Sequence, residues 1–90
     1  MMLTLTFDFA RLADRQAFYQ ALVQQSGCPP HFGYNLDALW DWLTGGMALP
    51  ATLHLQHAGQ AEESAEFAPV LALLAEAAQQ TAGELRLVYS

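Results

Sequence analysis

Three short segments that alternate apolar and polar residues, separated by helical patterns, place the strongest constraint on the fold of this chain. Residues 3–7 read Leu-Thr-Leu-Thr-Phe, an alternation with β-branched threonine that is typical of a strand. Residues 51–55 and 85–89 have a similar character. Since strands joined through helical crossovers pair in parallel, the order β-α-α-β-α-β predicts an α/β fold, a small parallel sheet covered by helices.

Capping residues predict where the helices begin and end. Asp14 and Asn35 are the expected N-caps of the first two helices, because their side-chain oxygens can accept a hydrogen bond from the first turn. Gly27 is expected to end the first helix, and Gly45 with Gly46 the second.

The last helix has two candidate starting points. Ser64 is a candidate N-cap, whereas Pro69, which a helix tolerates in its first turn, favours a start nearer Ala68. Gly83 is expected to end this helix. An extra short helix is predicted around residues 60–65.

The second helix carries two stripes of different character. Helical spacing places four apolar residues on one face, Leu36, Leu39, Trp40 and Leu43, and three polar ones beside them, Asp37, Asp41 and Thr44. Two aspartates one turn apart repel each other by roughly 0.2–0.5 kcal/mol. A helix that only had to fold would favour a basic residue at one of these positions. The polar stripe therefore predicts a surface that meets a positively charged partner.

The charge distribution supports a basic protein partner. The chain has 90 residues, expected to form one domain over residues 1–90, and its net charge is −6. Its cations are Arg11, Arg15 and Arg86, so residues 16–85 contain no Lys or Arg. Binding of nucleic acid or of an anionic membrane is excluded, because both need cations. A merely soluble acidic protein is the alternative that charge alone leaves open.

The expected location is the cytoplasm. Cys28 is the single cysteine, so no internal disulfide is possible and a reducing compartment is favoured. The first eight residues lack a basic segment and a long apolar run, and no stretch reaches about 18 consecutive apolar residues. We expect no cofactor and no metal, and a monomer when the protein is free.

Catalytic and metal-binding interpretations are weaker. Cys28 with His31 would supply a nucleophile and a base. However, two prolines follow Cys28, so no helix N-terminus lies directly after it to lower the pKa of its thiol. His54 and His57 lie an odd number of residues apart, so a strand would point them to opposite faces. Of the two tryptophans, Trp42 is expected to pack in the core, whereas a core or an interface role is open for Trp40.

A motif of nine residues resembles a known protein family. Residues 33–41, Gly-Tyr-Asn-Leu-Asp-Ala-Leu-Trp-Asp, followed by Leu-Thr-Gly at 43–45 and by Pro50, resemble the barstar family of ribonuclease inhibitors. The likeness extends over nearly the whole chain. It implies a three-stranded parallel sheet packed by three to four helices, no catalysis, and a cis peptide bond between Leu49 and Pro50.

The resemblance also implies a function, which is to occlude the active site of a barnase-like ribonuclease with carboxylates that mimic RNA phosphates. The family's central binding aspartate falls on Asp41. The other implied contact residues are Leu36, Asp37, Trp40, Thr44, Gly45 and, on the later helix, Glu76.

Several rim positions depart from the family pattern. His31 replaces an aromatic contact residue of the binding loop, and Gly46 replaces an interface tryptophan. Ala48 and Gln80 stand where acidic residues are expected. The partner is therefore expected to be a related basic nuclease rather than necessarily barnase itself. An acidic interaction or immunity module with a non-ribonuclease partner remains the alternative.

Overall fold

The predicted order of strands and helices is confirmed. A computed structural model describes residues 3–29 and 32–90. Its elements are β1 (Leu3–Asp8), α1 (Arg15–Ser26), α2 (Leu36–Asp41), a π-helical turn (Trp42–Gly46), β2 (Ala51–Gln56), α3 (Ala58–Ala61), α4 (Ala68–Gln80) and β3 (Leu85–Tyr89).

The three strands form one parallel sheet in the order β1-β2-β3. Because the chain steps in the same direction twice, crossovers of the usual right hand are expected to place the helices on one face of the sheet. Residues on that face, such as Leu5, Phe7 and Leu53, are almost completely buried, whereas Thr4 and Thr6 on the other face are exposed. The helices therefore cover only one face of the sheet. The alternation of apolar and polar residues along the strands indicates which face is exposed to solvent.

The predicted caps of the first two helices are confirmed. Asp14 Oδ1 accepts a hydrogen bond from the backbone N–H of Ala17 at 2.9 Å, and Asn35 Oδ1 accepts one from Ala38 at 2.8 Å. Gly27 ends α1 with a φ of 71°, the left-handed conformation that glycine adopts without strain.

The second half of the chain corrects three details. Ser64 does not cap α4; it accepts a hydrogen bond from the N–H of Glu66 in a separate turn, and α4 begins at Ala68 with its proline in the first turn. The helix ends at Gln80, before Gly83, because Ala82 takes the left-handed conformation with a φ of 56° and the N–H of Gly83 donates back to the carbonyl of Ala78 at 3.2 Å. The extra helix lies at Ala58–Ala61, earlier than expected.

A chain of aromatic rings connects the core to the loop before α2. The ring centroids of Phe7 and Phe18 lie 4.7 Å apart, and Tyr19 continues the series to Phe32 at 5.9 Å. Phe32 in turn contacts Tyr34 edge-on at 5.3 Å. Offset and edge-to-face aromatic pairs add stability beyond burial alone. These contacts hold the loop against the core.

The outer edge of β1 is partly closed by a side chain. The Gln25 amide donates a hydrogen bond to the carbonyl of Thr6 and accepts one from its N–H, both at 2.8 Å. This reciprocal pair occupies backbone groups that would otherwise be available to another strand.

A charged cluster lies at the carboxyl end of the sheet. Asp8 accepts a hydrogen bond from the ring of His57 at 2.7 Å, and Arg11 lies 3.6 Å from its other oxygen. The hydrogen bond from His57 is the main cause that lowers the pKa of Asp8. Within the residues described, no group of three metal-ligating side chains is assembled, and no helix is long and apolar enough to cross a membrane.

We predict that Gln25→Ala lowers the free energy of unfolding by about 1–2 kcal/mol, because two hydrogen bonds to an edge strand are lost. Gln24→Ala is the matched control, since Gln24 is exposed on the same helix and makes no comparable contact in the described structure. Urea unfolding measures both variants. Equal effects of the two substitutions would contradict the role of Gln25.

We predict that the hydrogen-bonded pair of Asp8 and His57 stabilises the fold above the ordinary aspartate pKa of 3.8, and that this contribution is lost as the pH falls through the lowered pKa of Asp8 in the folded state. His57→Gly removes the partner while keeping the left-handed backbone accessible at this position, where φ is 59°. The carboxyl ¹³C titration of Asp8 should then move upward. An unchanged titration would show that His57 does not lower this pKa.

Candidate protein-binding site

Burial of one side of α2 determines what its other side presents. Leu39 and Leu43 are completely buried, and Trp40 packs half-buried against the same core. Asp37 and Asp41 consequently face solvent, as the stripe pattern predicts. Asp37 also lies in the first turn of α2, where the helix dipole favours an anion.

The two aspartates have no cation beside them among the residues that the structure describes. Arg11 pairs with Asp8, and the guanidinium of Arg15 donates to the carbonyl of Glu66 at 3.0 Å. Arg86 is exposed on β3. The carboxylates therefore present uncompensated negative charge to solvent.

The regular α-helix α2 ends at Asp41. From Trp42 to Gly46 the backbone forms a π-helical turn, in which the N–H of Met47 donates to the carbonyl of Trp42 at 2.7 Å. Thr44, expected on the exposed polar stripe, is half-buried, and its hydroxyl donates to the carbonyl of Trp40. The glycine pair does end the helix, but through a wider turn than the sequence predicts.

A cleft of about 630 Å³ separates this segment from the preceding loop. Phe32, Pro29 and the buried thiol of Cys28 line the loop side, and Asp41 and Trp42 line the helix side. Its walls are mainly apolar, and Asp41 supplies the only charge among the described lining residues.

Trp42 packs against the core, as expected, but part of its side chain remains exposed. It is half-buried, and its indole N–H donates to the Ser26 hydroxyl at 3.0 Å. A Cβ added to Gly46 would lie 2.5 Å from Cε3 of this indole. The ring therefore occupies space that a side chain at position 46 would need. In the sequence, the only signal for this contact is a tryptophan followed four residues later by a glycine.

A second depression of about 500 Å³ lies on the opposite side of the segment. Trp40, Thr44 and Leu49 face Gln80 and the turn before β3 across it. The predicted cis bond between Leu49 and Pro50 is present.

Of the remaining predicted site residues, Gly45 lines the first cleft. Leu36 is half-buried, and Gly45 and Ala48 are exposed along the same segment. Glu76 is exposed on α4, one helical turn before Gln80. His31 lies outside the described residues.

Cys28 is poorly suited to nucleophilic catalysis. Burial raises the pKa of its thiol, which keeps the less reactive protonated form at neutral pH. Its position at the wall of the first cleft is instead consistent with packing.

Comparison with known proteins identifies the family of this chain. Residues 2–90 match the family described as Barstar (barnase inhibitor). A Bacillus subtilis (strain 168) protein named "Putative ribonuclease inhibitor YrdF" is 59% identical over 29 residues, which are 32% of this chain and 32% of that protein. Because the family match covers nearly every residue, the chain belongs to the barstar family of ribonuclease inhibitors.

Proposed function

We propose that this protein inhibits a basic, barnase-like ribonuclease by covering its active site. The observation that carries the proposal is the exposed pair Asp37 and Asp41, which no described cation neutralises. Family membership supports a ribonuclease as the target.

Inhibition would work by mimicry of RNA phosphates. A ribonuclease must hold the anionic RNA backbone with cations, so its cleft attracts a matching pair of carboxylates. Asp41 is proposed as the central anion and Asp37 as its neighbour. Because both are already exposed and lie on an ordered helix, little rearrangement is required to bind.

The neighbouring groups are proposed to give shape to the interface. Leu36 and Trp40 supply apolar contact beside the carboxylates, Thr44 and Gly45 allow close approach, and Glu76 adds charge from α4. His31 is proposed to complete the loop side. Aromatic groups near the centre of an interface commonly contribute much of the binding energy.

Because the rim residues differ from the family pattern, we propose that the partner is a related ribonuclease, which need not be barnase. Gly46, Ala48 and Gln80 carry no charge, so the partner need not place cations opposite them. Rim charges affect encounter and partner choice more than the central contacts do.

We further propose that the inhibitor acts without catalysis, in the cytoplasm of the cell that makes the ribonuclease, and that it is monomeric when free. The buried thiol supports the absence of nucleophilic chemistry. The cellular role would be immunity to the cell's own enzyme.

Affinity capture tests the proposed function. The immobilised protein is incubated with lysate and secreted fraction of the producing organism, and the captured material is assayed for RNA cleavage. The expected result is a basic ribonuclease that is retained on the parent protein, cleaves RNA only after denaturing elution has separated it from the inhibitor, and is absent from an Asp41→Ala matrix. Capture of a protein without ribonuclease activity would favour the alternative, an acidic module with a different partner.

We predict that Asp41→Ala weakens binding to that ribonuclease about a hundredfold or more, roughly 2.7 kcal/mol, and more than Asp37→Ala does. Thermal stability should change little, because Asp41 is exposed and unpaired within the described structure. Glu63→Ala is the matched control for loss of one exposed negative charge. Calorimetric titration measures all three variants. Parental affinity in Asp41→Ala would contradict the assignment of the central anion.

We predict that added salt slows association of the two proteins while dissociation changes less, because screening weakens long-range attraction. Stopped-flow fluorescence of the tryptophans between about 50 and 500 mM NaCl measures both rates. An association rate independent of salt would argue against electrostatic attraction.

A further inference from the structure

We propose that Trp42 contacts the partner directly and selects for arginine: its indole and the Asp41 carboxylate form a slot that holds one guanidinium group. This inference rests on the proposed function only in taking the partner to be a basic protein. It adds a recognition residue that the sequence interpretation assigned to the core.

The indole is held in place at two points. Its N–H donates to the Ser26 hydroxyl at 3.0 Å, and that hydroxyl in turn donates to the carbonyl of Leu22 at 2.6 Å. On the other side, Cε3 and Cζ3 of the six-membered ring occupy the space that a side chain at position 46 would need. A ring fixed in this way loses little conformational freedom when a partner binds.

The Trp42 indole can take its present place in the cleft because position 46 has no side chain. A Cβ there would lie 2.5 Å from Cε3 and 2.9 Å from Cζ3 of Trp42, so the ring could not keep its present place beside any larger residue. Phe32 and Pro29 line the other side of the same cleft of about 630 Å³. The arrangement is a preformed slot with an aromatic wall.

The chemistry of the slot favours a guanidinium group over other occupants. The walls are apolar and aromatic, and the one charge among the described lining residues is the carboxylate of Asp41. A guanidinium is planar and weakly hydrated, so it can stack on an indole while it donates two hydrogen bonds to a carboxylate. A lysine ammonium is more strongly hydrated and stacks less well. A phosphate would be repelled.

Indole N–H signals in ¹H–¹⁵N NMR spectra test the slot without any ribonuclease. The full chain is titrated with acetyl-arginine-amide and, at equal concentration, with acetyl-lysine-amide. The Trp40 signal, assigned by Trp40→Phe, serves as the internal comparison. We expect the arginine probe to shift the Trp42 signal at least about twofold more than the lysine probe does, and Asp41→Asn to reduce that shift.

Gly46→Ala tests the geometry, because the added methyl must displace the indole. It should reduce the response of Trp42 to the arginine probe. Gly59→Ala is the matched control, since a Cβ there meets nothing within 4 Å and the residue lies on α3. Equal responses to arginine and lysine, or an unchanged response in Asp41→Asn, would overturn the inference.

The two proposals fail in different ways. A selective response of Trp42 to the arginine probe, with no ribonuclease inhibited, would leave the slot standing and contradict the proposed function. Inhibition of a ribonuclease that is lost in Asp41→Ala, with no preference of Trp42 for arginine, would contradict only the slot.

Discussion

Burial of Leu39 and Leu43 in the core determines how the whole candidate surface is presented. The α2 segment is too short to be stable by itself, so its orientation depends on this contact and on the cap supplied by Asn35. With the two leucines inside, Asp37 and Asp41 can only face solvent. The geometry of the charged surface is thus a consequence of core packing rather than of any contact among the charged groups themselves.

The charge distribution makes the exposed face of α2 a negatively charged surface. Two neighbouring carboxylates on one helix repel each other slightly, and the described structure places no cation beside them. Arg11 and Arg15 instead bind groups at other parts of the molecule, namely Asp8 and the turn before α4. The fold therefore tolerates a small local cost at a surface where negative charge is exposed, which is typical of binding sites.

Local signals predicted much of the fold and part of the site. The alternation in the strands, the caps at Asp14 and Asn35 and the apolar stripe of α2 follow from contacts within a few residues, and all were confirmed. Of the two candidate starts of α4, the one near Ala68 was confirmed and Ser64 was wrong, because the Ser64 hydroxyl satisfies a separate turn. The core packing of Trp42 was confirmed only in part, because helical spacing assumes a regular α-helix and the backbone widens into a π turn at that residue.

The sequence by itself determined the order of the elements, the face of α2 that is apolar, and the accumulation of negative charge without lysine, since each depends on residue type and spacing alone. Tertiary structure decided the rest. It left one face of the sheet open, brought the Phe32 loop against the helix to form a cleft, and set the Trp42 indole over Gly46. The physical reason is that these features depend on contacts between segments far apart in the chain or on backbone geometry that side-chain spacing does not specify.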